Sequence, residues 1–442
     1  MKLKIKYSDI IITLFLLTII IDMRGFYIVH VDWMWMMFST VIAFLISLFM
    51  PHKRNGLNRQ SNQYILMYTL IAAIIMFADI IWSYAVYPKQ GIKGTIRVFS
   101  YYSPLFFALP LSYCLDSDKK VKSLFDKINL LSFVWYLIVL LQQLLYSNSG
   151  TVIIDEYFSD FDQDFALFSA RNGLLRIALV GFCNLMIIYN FHQFYVSDKR
   201  VKYKVFNFIS FIIGFSEMIL VQQSRVGSLV VIMCIFILVA LDNRDSKRRI
   251  RRFLIIFFSI IAIAETGILS KVYGTFIGTD SLSGYSTYST TARLYALSYY
   301  WSSFLKNPLF AIGFAEGTHY PQVVYGPRLM AAISDVGIIG QTARFGIFVI
   351  LIYIFPMIRI IRNAVKNYLR KRNSEAALYL SFAAFLCGSS ITFIVLDAAR
   401  IVMWPAFIVL FERLCRNSTC TDVDRIVNIK VYTKTDVKKW ND

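Results

Sequence analysis

Tyr64-Ile65-Leu66-Met67-Tyr68-Thr69-Leu70-Ile71-Ala72-Ala73-Ile74-Ile75-Met76-Phe77-Ala78-Asp79-Ile80-Ile81-Trp82 decides the fold class, because it carries one ionisable acid, Asp79, among side chains that water solvates poorly. A helix needs about 20 such residues to cross the hydrocarbon core of a bilayer, so the run reads as a membrane span. Working outward, comparable apolar runs recur near 8–21, 33–50, 96–115, 128–146, 173–191, 205–221, 226–241, 253–269, 333–356, 376–395 and 399–413. The expectation is an all-α, polytopic membrane helix bundle of about twelve transmembrane helices, one domain over residues 1–442, with a long external loop between the ninth and tenth spans. Composition points the same way. The chain is 57% hydrophobic and 16% aromatic with mean hydropathy +0.57, more apolar surface than limited polar coverage can hide from water.

The net charge of +19 raises the question of a nucleic-acid partner, and its distribution answers it. If the N-terminus is cytoplasmic, most of the 46 Lys and Arg fall in loops on that side, among them Arg244, Lys247, Arg248, Arg249, Arg251 and Arg252, and the run Arg370-Lys371-Arg372. That is the positive-inside bias, and it predicts both termini in the cytoplasm, membrane lipids as neighbours and no nucleic acid. The first apolar run lacks a small-residue cleavage site and is followed by Asp22-Met23-Arg24, so it reads as a retained span. Neither a disulfide framework nor a CxxC pair is indicated by the six cysteines. Of the four histidines, only His30 and His319 fall outside, so no metal centre is expected.

Two external loops exceed hairpin length, 147–172 and about 270–332, and a basic cytoplasmic tail occupies 414–442. The first is acidic, with Asp155, Glu156, Asp160, Asp162 and Asp164, and is assigned no chemistry. Within the second, Leu294, Leu297, Trp301 and Phe304 recur at spacings of three and four from Thr291 onward. They predict an amphipathic helix that Asn307-Pro308 stops, with Tyr295, Tyr299, Tyr300 and Trp301 suited to a membrane interface. Gly313-Phe314-Ala315-Glu316-Gly317-Thr318-His319-Tyr320 follows, and the chain contains no Walker loop, so ATP is not implied. No cofactor is expected.

Three segments together resemble the O-antigen ligase/polymerase (Wzy/WaaL-type) family of integral membrane proteins: Ser224-Arg225 opening a span, Thr291-Ala292-Arg293 followed by Asn307-Pro308 and Gly313, and Asp335-Val336-Gly337-Ile338-Ile339-Gly340. The match covers mainly residues 220–350. Where ligase-like members carry a histidine and an asparagine, this chain holds Tyr325, Gly326 and Pro327. The resemblance implies a bacterial cytoplasmic (inner) membrane protein acting at the outer face. It implies a metal-independent glycosyltransferase, a polysaccharide polymerase that passes a polyprenyl-diphosphate-linked oligosaccharide to an acceptor hydroxyl in capsule, exopolysaccharide or O-antigen assembly, with a chain-length regulator as a further partner. The alternatives are an O-antigen-type ligase and a lipid-linked oligosaccharide flippase. The family's two arginines correspond to Arg225 and Arg293.

Departure of a lipid diphosphate leaves negative charge that permanently cationic guanidinium forks suit. Arg225 and Arg293 are the candidates for that role. The acceptor hydroxyl needs a proton acceptor, for which His319, Glu316 and Asp335 are candidates that sequence leaves unranked. Ionisable groups inside spans are costly and tend to mark function; Asp79, Arg97, Arg176, Glu217, Glu265, Arg344, Asp397 and Arg400 are of this kind. Arg176 and Arg344 lie near outer span ends and would extend a cationic pocket, with Arg171, Arg328 and Tyr295 completing the expected substrate-binding set. Each also has a structural reading, as a snorkelling arginine, a helix cap or an interhelical ion pair.

Overall fold

The computed structural model describes residues 6–23, 34–50, 59–152, 168–171, 174–177, 182–196, 201–222, 225–241, 284–390 and 401–414. Its helices are α1 (Tyr7–Asp22), α2 (Met34–Leu48), α3 (Arg59–Val86), α4 (Gly91–Tyr102), α5 (Ala108–Cys114), α6 (Asp118–Ser149), α7 (Cys183–Val196), α8 (Val201–Glu217), α9 (Arg225–Ala240), α10 (Gly284–Lys306), the single turn α11 (Pro321–Val324), α12 (Gly337–Phe345), α13 (Phe355–Lys371), α14 (Ser374–Ser389) and α15 (403–414). A small antiparallel hairpin, β1 (Phe168–Arg171) and β2 (Leu174–Ile177), pairs Ser169 with Arg176 and Arg171 with Leu174. It packs on α6 and on the π-helical turn Met218–Gln222 that extends α8.

Among the described residues, three helices are long and apolar enough to cross a membrane: Gln60–Val86, Asp118–Ser149 and Val201–Gln222. A fourth is reached only if Gly337–Phe348 and Ile350–Lys371, bent by 111° to one another, are taken as one span. The expected bundle of about twelve transmembrane helices is therefore wrong. So is the multi-pass inner-membrane placement with both termini cytoplasmic, because its parity came from the twelve.

The reason is local. Run 96–115 is divided into α4, a 3-10 stretch Ser103–Phe107 and α5. Pro104 opens that stretch and Pro110 sits inside α5, each removing a backbone donor. Run 333–356 breaks at Gly346, whose φ is +52°. Run 173–191 begins as strand β2. Helices α1, α2, α9 and α14 have 15 or 16 residues, about 23 Å of rise against a hydrocarbon core of about 30 Å. Run 253–269, most of the acidic loop 147–172, the basic loop near 244–252 and nearly all of the tail 414–442 lie outside the described residues.

One large apolar core joins α1 to α9 with α13, α14 and α15 through Phe15, Trp135, Ile187, Leu238, Tyr353 and Trp404, all buried. Beside it, α10 packs along α12 over a smaller cluster of Ala296, Tyr300, Ile312, Val336 and Ala343. Helix α3 turns Leu66, Met67, Leu70, Ile74, Phe77 and Ile81 outward on one face, an apolar strip that lipid covers better than water. The bundle is clamped at the N-terminal end of α3. Arg359 forms a two-pronged ion pair with buried Glu412, one bond of 2.8 Å, and its guanidinium lies 4.0 Å from the centre of the Tyr64 ring. Ser61 donates to the Glu412 carbonyl (3.3 Å), and Arg413 pairs with Asp118 (2.8 Å) while donating to the Leu115 carbonyl. The other end of α3, after Val86, carries the polar site.

Candidate functional site

The site is built on the segment 307–320, which leaves α10 at Asn307-Pro308 and passes over the C-terminal turns of α3. Backbone geometry permits the close approach: Gly313 has φ +51°, and a Cβ there would lie 2.6 Å from both Asp79 Oδ1 and Ser83 Oγ. Ser83 donates to Asp79 Oδ1 (3.0 Å) and accepts from the Phe314 N–H (2.8 Å). The Phe314 ring is buried against Tyr102 and Phe345. From the other side Arg344, on α12, donates through Nη1 to the carbonyls of Gly313 and Ala315, both at 2.8 Å. Gln90 completes the anchorage, its Nε2 donating to Thr95 Oγ1 (2.8 Å) and the Phe314 carbonyl (3.0 Å), its Oε1 accepting from the Glu316 N–H (2.8 Å).

This anchorage fixes Glu316. Its residue is 6% exposed, and its carboxylate rests over Gly94, where a Cβ would come within 2.6 Å of Oε2. Oε1 takes an ion pair from Arg97 Nη1 at 3.4 Å, and Oε2 lies 2.5 Å from His319 Nδ1. The His319 side chain is 47% exposed. An ionised carboxylate can only accept, so Glu316 in that form places the ring proton on Nδ1 and the basic lone pair on Nε2. A buried acid thereby orients an accessible base, with a guanidinium on the acid's other oxygen.

On the helices that hold this segment, several buried polar atoms have no hydrogen-bond partner among the described residues: Asp79 Oδ2 on α3, Arg344 Nε and both amide atoms of the fully buried Gln341 on α12, and Arg293 Nε on α10. Gln341 and Arg344 share a face of α12 at i and i+3. Such orphans cost free energy unless water or a ligand meets them. Tyr87, Tyr299 and Tyr300 wall the segment. Burial pushes the Tyr87 hydroxyl up to about 12 against the lowering influence of Arg344, and burial raises Tyr299 and Tyr300 as well. These hydroxyls stay protonated; Tyr300 donates to the Val324 carbonyl and Tyr299 to the Val323 carbonyl, each at 2.8 Å.

No protein-family model matches the chain, and no curated protein matches it. The resemblance to the O-antigen ligase/polymerase family is thus unsupported by any match, and the three helices, at most four, that are long and apolar enough to cross a membrane among the described residues contradict its twelve-span architecture. The polysaccharide polymerase reading, with its ligase and flippase alternatives, rested on that architecture and falls with it. Short motifs at plausible spacing recur by chance once most positions are apolar, which is how this resemblance misled.

The expected residues are dispersed unevenly. Glu316 and His319 are in contact, and Arg344 holds the segment that carries them. Arg293 sits half-buried on α10, which packs on α12. Asp335 ends the 3-10 turn Ile333–Asp335 just before α12 and makes no side-chain hydrogen bond with the acid–base pair. Arg328 is exposed, with its guanidinium 5.5 Å from the Tyr295 ring centre and its N–H donating to the Tyr295 hydroxyl (3.2 Å). Arg225 is the first residue of α9, and Arg171 and Arg176 lie on the β-hairpin; their side chains, and with them the convergence of Arg225 and Arg293, lie outside what is described. Sequence reasoning missed Gln90 altogether and did not connect Arg97 to Glu316. Arg97 carried a signal, an ionisable side chain in an apolar run. Gln90, after Tyr87-Pro88, carried none.

Proposed function

We propose that Glu316 and His319 form the acid–base centre of a membrane-associated, metal-independent transferase of the glycosyltransferase class, acting on a hydroxyl acceptor with a lipid-phosphate-linked sugar as donor. The observation that carries the reading is the 2.5 Å contact between a buried carboxylate and the Nδ1 of an accessible imidazole. In that arrangement His319 Nε2 takes the proton of the acceptor hydroxyl as its oxygen bonds to the sugar carbon and the carbon–phosphate oxygen bond breaks. Glu316 holds the tautomer and steadies the imidazolium that forms, a contribution of general-base type worth roughly 10²- to 10⁴-fold in rate. Arg97, half-exposed beside Glu316, offers a fixed cation to the departing phosphate without a metal. The donor class, a polyprenyl-diphosphate-linked oligosaccharide, and contact with membrane lipids are part of this proposal; the twelve-span polymerase, ligase and flippase mechanisms are not.

The test is to reconstitute the purified protein in vesicles with a fluorescent polyprenyl-diphosphate disaccharide and a sugar acceptor, in the presence of a chelator. Transfer lowered at least about 100-fold by His319→Ala and by Glu316→Gln, with the protein still folded, supports the proposal. Transfer that needs a divalent metal, or that survives His319→Ala, ends it.

A further inference from the structure

At the opposite end of the bundle from Glu316, the first turns of α6 line an open cleft of about 390 Å³ formed by Lys119, Lys122, Ser123, Asp126, Lys127 and Leu130. Asp118 at the start of this helix belongs to the clamp with Arg413, and Ser61 and Glu412 belong to the same end. Among the described residues none of Lys119, Lys122 and Lys127 has an ion-pair partner, whereas the adjacent Lys120 is taken by Asp116 at 2.7 Å. The single carboxylate in the cleft, Asp126, is itself engaged: Oδ1 accepts from the Tyr189 hydroxyl (2.8 Å) and the Tyr203 hydroxyl (2.6 Å). The cleft therefore presents three exposed ammonium groups against one carboxylate already bonded on one oxygen.

The same face of α6 then changes character. From Leu130 onward Val134, Leu137, Leu141 and Leu144 follow at spacings of four, three, four and three, all exposed. From Leu130 to Leu144 the stripe rises about 21 Å, more than the roughly 15 Å that half a hydrocarbon core requires. An ammonium cluster that runs without interruption into an acyl-length apolar stripe matches one kind of molecule in both parts.

We propose that this cleft binds an anionic glycerophospholipid, its phosphate between Lys119, Lys122 and Lys127, Ser123 donating to a headgroup oxygen, and one acyl chain along Leu130–Leu144. Charge selects the headgroup, and Leu130 marks the boundary at which the headgroup ends. The site is separate from Glu316 and His319 and does not depend on the reaction assigned to them.

The experiment places the whole protein in nanodiscs of phosphatidylcholine with a minority of phosphatidylglycerol and measures, by native mass spectrometry, the ratio of the two lipids that stay bound. Wild type is expected to enrich phosphatidylglycerol, with about a fivefold loss of preference per lysine in Lys119→Gln, Lys122→Gln and Lys127→Gln. Leu137→Asn should weaken retention of both lipids with the preference unchanged. A control variant, Lys89→Gln with Lys306→Gln, should keep the preference. Equal loss in that control means a nonspecific charge effect and overturns the proposal. Displacement of the bound lipid by millimolar glycerol 3-phosphate would show a site for the free anion and overturn the lipid assignment.

Discussion

Gln90 concentrates the dependence of the site on single residues. Its amide satisfies the Phe314 carbonyl, Thr95 and the Glu316 N–H at once, in a position where water cannot substitute. Net, a hydrogen bond contributes about 1 kcal/mol, but a buried partner left unmet costs about 1–3 kcal/mol. Gln90→Ala strands two buried backbone groups, and we expect it to lower stability by about 2–4 kcal/mol and to free Glu316 from its position. Chemical denaturation in detergent, followed by tryptophan fluorescence, measures the first effect. Gln90→Glu keeps the acceptor for the Glu316 N–H but sets a buried carboxylate oxygen against the Phe314 carbonyl that the amide N–H had met, so it should be at least as destabilising as Gln90→Ala; a Gln90→Ala variant as stable as wild type would show that segment 313–316 is held without this side chain. The acid–base pair was legible in sequence only as two candidates three residues apart. That Glu316 is buried depends on Gly94 and Gln90, more than two hundred positions away, and local pattern carries no information about such a contact.

At the scale of elements, the difference between apolar runs and continuous helices explains what the sequence could and could not disclose. Hydropathy reports how much apolar surface a stretch carries, and it located α3, α6 and α8 well because these helices contain no internal proline or left-handed residue. It says nothing of continuity, which at 333–356 is decided by Gly346. There φ is +52°, and a Cβ would stand 2.0 Å from the Leu309 carbonyl oxygen and 2.4 Å from that of Pro308. The Ile347 N–H bonds to that same Pro308 carbonyl at 2.8 Å, so backbone has to move to admit a methyl group. Gly150, at the C-terminus of α6, also has positive φ (+68°) but open space within 4 Å. Gly150→Ala should therefore cost only the backbone penalty of about 1 kcal/mol. Gly346→Ala should cost several times more, because backbone strain adds to a steric clash. Thermal unfolding of the two variants side by side tests this; equal losses would mean that the bend at Gly346 relaxes freely.

For the whole molecule, the two polar features lie at opposite ends of the same apolar body. Glu316 and His319 sit beyond the C-terminal end of α3, and the lysine cleft lies beside the clamp that ties Ser61, at the N-terminal end of α3, to Glu412. The stretch Gln60–Val86 between them holds 27 residues, about 40 Å of helix and longer than a hydrocarbon core is thick. Exposed apolar side chains cover its outer face, and its one buried acid, Asp79, points at the site end through Ser83 and Phe314. If α3 crosses a bilayer, the acid–base pair and the lysine cleft face different compartments: one chemistry is available to substrates on one side, and lipid selection occurs in the leaflet of the other. Substituted cysteines read this directly. Thr318 and Ser123 are both exposed, and in a background lacking the native cysteines Thr318→Cys and Ser123→Cys should react with a membrane-impermeant maleimide from opposite faces, one in intact cells and the other only after permeabilisation. Labelling of both from the same face would place the two features in one compartment and remove α3 from the membrane.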